Sequence, residues 1–215
     1  MAIKETTTKE KILTSVRNAL ISKKANPFKD TKFEGKIFFD IEDEKEVVFA
    51  SRLLENNGTF VYCEDEVAVG NIMNALLKEK GWKSVFTPDP QVIEILQKGN
   101  VPVTFDEGDF LNQQAGVTRC EFLIARFGSV MVSSALNAGR RMFVYPETHI
   151  VIAKASQVVV EISDALKGMQ KKYKKGLPSQ ITVITGPSRT ADIEKTLVMG
   201  AHGPKELYVF LIDDL

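Results

Sequence analysis

The fold is decided by residues 60–105, which read FVYCEDEVAVGNIMNALLKEKGWKSVFTPDPQVIEILQKGNVPVTF. Apolar, β-prone runs predict strands at 60–63, 84–86 and 101–105. Between these strands, one helical stripe ends just before Gly81 and a second helix opens at Pro88-Asp-Pro90. Strands joined through single helices are most simply parallel with right-handed crossovers, so this region predicts an α/β sheet.

The pattern changes after Gly108. Short β-prone segments at 122–125, 129–132, 141–145 and 149–153 are joined by short polar links, which predicts that several of them pair antiparallel. A long helix is predicted from Val158 through Met169. A strand at 181–185, a short helix at 190–199 and a strand at 207–212 then close the domain. The predicted fold class is α/β, an open, mixed and mostly parallel sheet with helices on both faces.

The N-terminal region predicts a separate helix. Thr7-x-x-Glu10 is a capping-box pattern, and apolar residues follow it at helical spacing up to Leu20, with an end near Ser22. The polar stretch 23–35 is typical of a linker, so residues 1–35 are predicted to be a helical extension and residues 36–215 the α/β domain. The helix is expected to pack on another element or subunit, which leaves a homo-oligomer and exchange of this helix between subunits open.

Composition excludes several classes of function. The 28 basic and 28 acidic residues cancel, so neither nucleic acid nor an anionic membrane is an expected partner. Cys63 and Cys120 are too few for a zinc or iron–sulfur site, and no G-x-G-x-x-G follows a strand, so neither a metal nor a cofactor is predicted. Free thiols without a secretory leader predict a cytoplasmic protein.

The C-terminal third carries the predicted site. The strand at 181–185 runs into Gly186-Pro187-Ser188, where a helix is predicted to open with Asp192 and Glu194 in its first turn. Unpaired N–H groups at such a corner bind anionic or polar ligands, and this corner and the loop from Gly200 to Pro204 are expected to converge into a single polar pocket. The alternative is an ordinary capped helix, with Ser188 or Thr190 as the N-cap.

Four other side chains each allow two interpretations, one functional and one structural. His202, in the loop from Gly200 to Pro204, is a candidate acid or base, or a structural histidine tying the loop to a strand. His149 could bind a ligand or satisfy a strand-edge backbone group. Arg141 could clamp a carboxylate or form a surface ion pair. Ser129, beside Gly128, could act as a nucleophile or as an oxyanion donor, but no Ser-His-Asp order or G-x-S-x-G elbow surrounds it, which disfavours nucleophilic catalysis.

Several motifs together resemble a known family. They are Gly116-Val-Thr118, Gly128-Ser-Val130, Gly139-Arg-Arg141, Pro146-x-x-His149, Thr185-Gly-Pro-Ser-x-Thr-Ala-Asp-Ile-Glu194 and Gly200-x-His-Gly-Pro204. This series resembles the lactate-utilization (LUD) domain. The resemblance implies a three-layer fold like that of sugar-phosphate isomerases and CoA transferases, with an antiparallel insert. It also implies a role beside two iron–sulfur partner subunits in oxidising L-lactate to pyruvate.

The leading hypothesis is a non-redox subunit of such a system that binds a small carboxylate or its partners. In it, His202, Asp192 and Glu194 are the expected catalytic residues. The expected ligand-binding residues are Gly128, Ser129, Arg141, His149, Gly186, Pro187, Ser188, Thr190 and Gly203. One alternative is a stand-alone enzyme or binding protein for a sugar phosphate, an acyl-CoA or a folate-like ligand. Another is a scaffold assembled through the N-terminal helix, so the sequence leaves open whether the chain is catalytic.

Overall fold

The computed structural model describes residues 7–21, 27–30, 38, 40–106, 108, 110–190 and 198–215. The chain divides into two compact units, Met1–Asp40 and Ile41–Leu215. In the first unit, helix α1 spans Thr8–Ile21. The Thr7 N–H donates to Glu10 Oε2 at 2.9 Å and the Glu10 N–H donates to Thr7 Oγ1 at 3.3 Å, which confirms the predicted capping box. The predicted helix end near Ser22 and most of the predicted linker lie outside the described residues.

The second unit alternates helices and strands. Its helices are α2 (Lys45–Glu55), α3 (Glu66–Lys80), α4 (Pro90–Lys98) and α5 (Ile162–Lys172). Its strands, in chain order, are β1 (Thr59–Cys63), β2 (Val85–Phe86), β3 (Val103–Thr104), β4 (Ala115–Arg119), β5 (Phe122–Ile124), β6 (Ser129–Ser133), β7 (Thr148–Lys154), β8 (Val158–Val159), β9 (Ile181–Ile184), β10 (Arg189–Thr190), β11 (Val198–Met199) and β12 (Glu206–Ile212).

The central sheet has six strands in the order β1-β12-β7-β4-β2-β3, and every neighbouring pair is parallel. Helices α3 and α4 cover one face of it through a shared apolar core. Helix α2 and a four-stranded sheet, β8-β5-β6-β9, cover the other face. Helix α5 packs on the far side of the smaller sheet. The predicted α/β class with a mainly parallel central sheet is therefore confirmed.

Local chemistry fixes the helices that flank the sheet. The Asp65 carboxylate accepts from the Ala68 N–H at 2.7 Å, and Gly81 ends α3 in the left-handed conformation. Gly70 of α3 and Gly99 at the end of α4 touch through their backbones. A Cβ on either glycine would lie within 2.4 Å of the other's Cα, so neither position tolerates a side chain without moving a helix.

Three predictions about secondary structure were wrong. Residues 141–145 do not form a strand: Arg140–Phe143 is a 3-10 helix, and the Val144 and Tyr145 N–H groups both donate to the Arg141 carbonyl. Val158–Val159 belongs to β8, so the predicted long helix begins only at Ile162. The antiparallel pairing expected for several short segments is found for 122–125 and 129–132, which pair as β5 and β6, while 149–153 joins the parallel sheet as β7.

The third wrong prediction concerns the helix expected at 190–199. Arg189–Thr190 and Val198–Met199 pair as the antiparallel strands β10 and β11, so both ends of that segment are extended. Its middle, residues 191–197, lies outside the described residues.

Candidate ligand-binding site

The two C-terminal corners predicted to share a pocket are joined through backbone hydrogen bonds. The Ser188 N–H donates to the Pro204 carbonyl at 2.8 Å, and the Gly200 N–H donates to the Ser188 carbonyl at 2.8 Å. The Ser188 N–H is therefore already paired, and strand β10 follows it where a helix N-terminus was predicted. The corner does not offer the row of unpaired N–H groups that binds anions at helix starts.

A cavity of about 220 Å³ lies between these corners and the central sheet, and it is called here the loop cavity. Its wall is mainly apolar, and it includes both histidines of the chain. The lining residues are Phe143, Val144, His149, Val183, Ile184, Gly186, Pro187, Ser188, His202, Gly203, Pro204 and Leu207. Six of the residues predicted to bind ligand or to act on it are thus brought together: His149, Gly186, Pro187, Ser188, His202 and Gly203.

His149 is the most unusual side chain of this wall. It lies on β7, is completely buried, and its Nε2 is 2.8 Å from Thr118 Oγ1 on the neighbouring strand β4. Burial lowers the pKa of His149 from 6.5 to about 4, so the ring is neutral at physiological pH. Its Nδ1 has no hydrogen-bond partner among the described residues. A buried polar atom without a partner is rare and calls for a ligand or an ordered water.

The opposite side of the cavity is polar at its rim. His202 is exposed there, next to Gly203. A Cβ on Gly203 would lie 3.2 Å from Ser188 Cβ, which shows how closely the two loops approach. The Gly203 N–H has no acceptor among the residues that the structure describes. The cavity therefore combines apolar walls with a few convergent polar groups, as small-molecule sites do.

The other predicted site residues lie elsewhere or cannot be placed. Arg141 lines a separate cavity of about 190 Å³, where its guanidinium lies 5.0 Å from the centre of the Phe110 ring. Thr190 is in β10 and is not among the residues lining the loop cavity. Asp192 and Glu194 fall outside the described residues.

Gly128, Ser129 and Gly186 contact protein groups. The buried Ser129 hydroxyl is 2.8 Å from Thr185 Oγ1 on the adjoining chain segment. Gly128 and Gly186 have φ angles of 60° and 78°, which favour glycine. A Cβ on Gly128 would lie 2.2 Å from the Leu53 N atom, and one on Gly186 would lie 2.2 Å from the Asn56 carbonyl oxygen. Both glycines therefore allow close packing against the C-terminal end of α2.

Sequence reasoning missed Thr118 as the partner of His149, and it missed a second cavity at the carboxyl ends of the parallel strands. That cavity contains Arg119 and Lys154, the last residues of β4 and β7. Lys154 directly follows a predicted strand and could have been noticed. Arg119 could not, because β4 was not predicted and its pairing with β7 joins segments that are far apart in the chain.

In the described part of the chain, no helix is both long enough and apolar enough to cross a bilayer. No group of three or more His, Cys, Asp or Glu side chains there is arranged to hold a metal ion.

Comparison with known proteins identifies the family. The sequence profile of the LUD domain matches residues 47–212. The chain belongs to the LUD domain family. A LUD relative, "Lactate utilization protein C" of Halalkalibacterium halodurans, is 32% identical over 163 residues, which cover 69% of each chain. A protein of the same name from Geobacillus thermodenitrificans is 39% identical over 101 residues, which cover 46% of this chain and 42% of that one.

The LUD fold is also seen in a solved structure. A crystal structure of a DUF162 family protein from Deinococcus radiodurans has a TM-score of 0.59 and 17% sequence identity, covering 78% of this chain and 96% of that one. At this identity the likeness shows the fold alone. The alignments to several curated relatives span less than half of their length, at 44%, 42% and 45%.

Proposed function

We propose that this chain is a non-redox subunit of a cytoplasmic L-lactate utilization system and that it binds a small carboxylate in the loop cavity. The names of its relatives support the first part, as does the matching LUD domain. The unpartnered Nδ1 of buried His149, in the wall of a cavity framed by both motif loops, is the observation that carries the second part.

The groups of the loop cavity match the three parts of a 2-hydroxy acid. A methyl group fits the apolar wall formed by Phe143 and Leu207. The ligand hydroxyl donates to His149 Nδ1 when His149 Nε2–H donates to Thr118 Oγ1. The carboxylate accepts from the Gly203 N–H and from the ring of His202 at the rim. Arg141, the carboxylate clamp predicted from sequence, has no part in this arrangement because it lines another cavity.

In this proposal the subunit binds the ligand, and its partner subunits transfer the electrons. With two cysteines, the chain has too few thiolates for a Cys₄ cluster. Electrons from lactate would therefore pass to iron–sulfur partner subunits. Asp192 and Glu194, which the sequence analysis expected to be catalytic, are assigned the orientation of ligand hydroxyls in this proposal.

Ligand binding is tested by NMR of the imidazole rings. Only two histidines are present, so a ¹H–¹⁵N spectrum of the ring nitrogens is assigned by one variant, His202→Gln. L-Lactate is expected to shift the signals of both rings, with a dissociation constant of about 1 mM, a reasonable value for so small a ligand. His149→Gln, which removes Nδ1, should abolish binding.

The control is Lys167→Met on the exposed face of α5, which should bind lactate as the wild type does. Propionate, which is lactate without its hydroxyl group, should bind at least about tenfold more weakly. A His149 signal that stays unmoved at saturating L-lactate would refute the site.

The role in a lactate system is tested separately. The chain is co-expressed with cysteine-rich proteins encoded beside its gene, purified through a tag, and inspected for iron–sulfur absorbance. A brown complex, together with a growth defect on L-lactate when the gene is deleted, is expected. A colourless preparation with normal growth after deletion would reject the subunit role.

A further inference from the structure

A second cavity of about 410 Å³, called here the edge cavity, opens at the carboxyl ends of β4, β7 and β12. Ligands of open parallel sheets bind outside this edge of the strands. Its charged lining residues are Arg119, Lys154, Lys98, Lys172, Glu66 and Glu94. None of them lines the loop cavity, so the two sites are separate.

The buried carboxylate of Asp89 fixes the orientation of the Arg119 guanidinium. Its Nε donates to Asp89 Oδ2 at 2.9 Å, and Asp89 is completely buried at the N-cap of α4. This bond uses only Nε. The two terminal nitrogens of the guanidinium have no hydrogen-bond acceptor among the described residues. A planar, pre-oriented donor pair of this kind suits a tetrahedral oxyanion.

Lys154 supplies a second positive charge on the neighbouring strand. In the parallel register Arg119 lies opposite Ile152, so Lys154 stands two residues further along β7 and on the same face. Within the described ranges, no carboxylate lies within ion-pair distance of Lys154, although its charge lowers the pKa of nearby Asp214. Lys98 and Lys172 direct their ammonium groups to Glu66 and buried Glu121, whereas the Arg119 guanidinium keeps two terminal donors beyond its bond to Asp89.

We propose that the edge cavity binds a small phosphomonoester, with its phosphate held by Arg119 and Lys154 and its hydroxyl groups donating to Glu94. The two terminal N–H donors of Arg119 and the Lys154 ammonium on the adjacent strand match the three terminal oxygens of a phosphomonoester better than the two oxygens of a carboxylate such as lactate. Burial raises the pKa of the Cys120 thiol to about 12, so this neighbour stays protonated and adds no competing negative charge. The inference does not depend on the lactate proposal, because it uses no residue of the loop cavity.

The test is calorimetric titration of the full chain at constant ionic strength with ribose 5-phosphate, inorganic phosphate and neutral ribose. Ribose 5-phosphate should bind most tightly, inorganic phosphate more weakly, and ribose not at all. Arg119→Lys keeps the charge beside Asp89 but loses the donor pair, so it should lower the affinity for ribose 5-phosphate by about tenfold. Lys154→Met, which breaks no ion pair, should lower that affinity by a similar factor.

The matched control is again Lys167→Met, which removes a positive charge outside the edge cavity. Equal weakening by this control would reduce the effect to general electrostatics and overturn the site. Unchanged binding in both Arg119→Lys and Lys154→Met, or the absence of any heat of binding with ribose 5-phosphate, would also overturn the site. A wild-type Arg119 Nε signal that moves with ribose 5-phosphate and stays still with L-lactate keeps this result separate from the loop-cavity test.

Discussion

Replacing Gly128 by alanine tests the close contact between the Gly128 turn and helix α2. Gly128 has a φ of 60°, and an alanine Cβ would lie 2.2 Å from Leu53 N and 2.4 Å from the Arg52 carbonyl carbon. The left-handed conformation costs about 1 kcal/mol for a residue with a Cβ. Pushing helix backbone aside costs about 2 kcal/mol more. We therefore expect the free energy of unfolding to fall by about 3 kcal/mol, and the melting temperature by roughly 6–12 °C.

Gly81 provides the matched control. Its φ of 69° and ψ of 23° lie in the same left-handed region as those of Gly128, but a Cβ there would meet no atom within 4 Å. Gly81→Ala should therefore lose only the backbone term, about 1 kcal/mol. Urea unfolding is followed by circular dichroism and by the fluorescence of Trp82, the single tryptophan. Equal destabilisation by the two alanines would refute the contact with α2, because the backbone term alone would then explain both.

Three further predictions concern buried polar groups. The pKa of His149 is lower in the folded chain than in the unfolded one, so the unfolded chain protonates first and the free energy of unfolding falls as the pH drops from 6.5 towards 4. At pH 5 this loss amounts to about 2 kcal/mol, and His149→Gln should abolish it. Urea unfolding measured at a series of pH values checks this prediction. Burial works to raise the pKa of Glu121, but hydrogen bonds from Lys172, Ser133 and Tyr173 outweigh it and lower the pKa, so its stabilisation is present above pH 4.5 and is lost below. Glu121→Gln should lower the free energy of unfolding by about 2 kcal/mol at pH 7 and weaken its dependence on pH below 4.5. An unchanged pH dependence below 4.5 would contradict this. Arg119→Met should cost about 2 kcal/mol by leaving the buried Asp89 carboxylate unpaired, and adding Asp89→Asn should restore part of that loss in thermal melts; additive losses would contradict the coupling.

The parallel core could be predicted because local signals agree with the global fold there. Between Phe60 and Phe105, strand runs, the Asp65 cap and Gly81 all indicate the same β-α-β-α-β order, and tertiary packing preserves it. Around residues 141–145 and 158–159, apolar content alone could not distinguish a strand, a helix and a 3-10 turn. The outcome there depended on partners distant in sequence, such as β5 for β8.

The candidate site was predictable in place more than in chemistry. The motif loops do meet, as the prediction required, and His149, His202 and Gly203 line one cavity. What the sequence could not show is which side chains already have partners. Ser129 is paired with Thr185, whereas one nitrogen of His149 is left without a partner by the described residues.

The backbone contact between Gly70 and Gly99 sets the spacing of α3 and α4 beside the edge cavity, although neither glycine lines it. Glu66 stands one helical turn before Gly70, and Lys98 directly precedes Gly99, so the approach of α3 to α4 sets where the Glu66–Lys98 pair lies in the wall of the cavity. A methyl group at either glycine would separate the helices and part that pair. Because each glycine faces the other, the first substitution already separates the helices and carries most of the loss in stability. A second substitution should then add little. The size of molecule admitted at this edge can therefore evolve through two positions that never touch it.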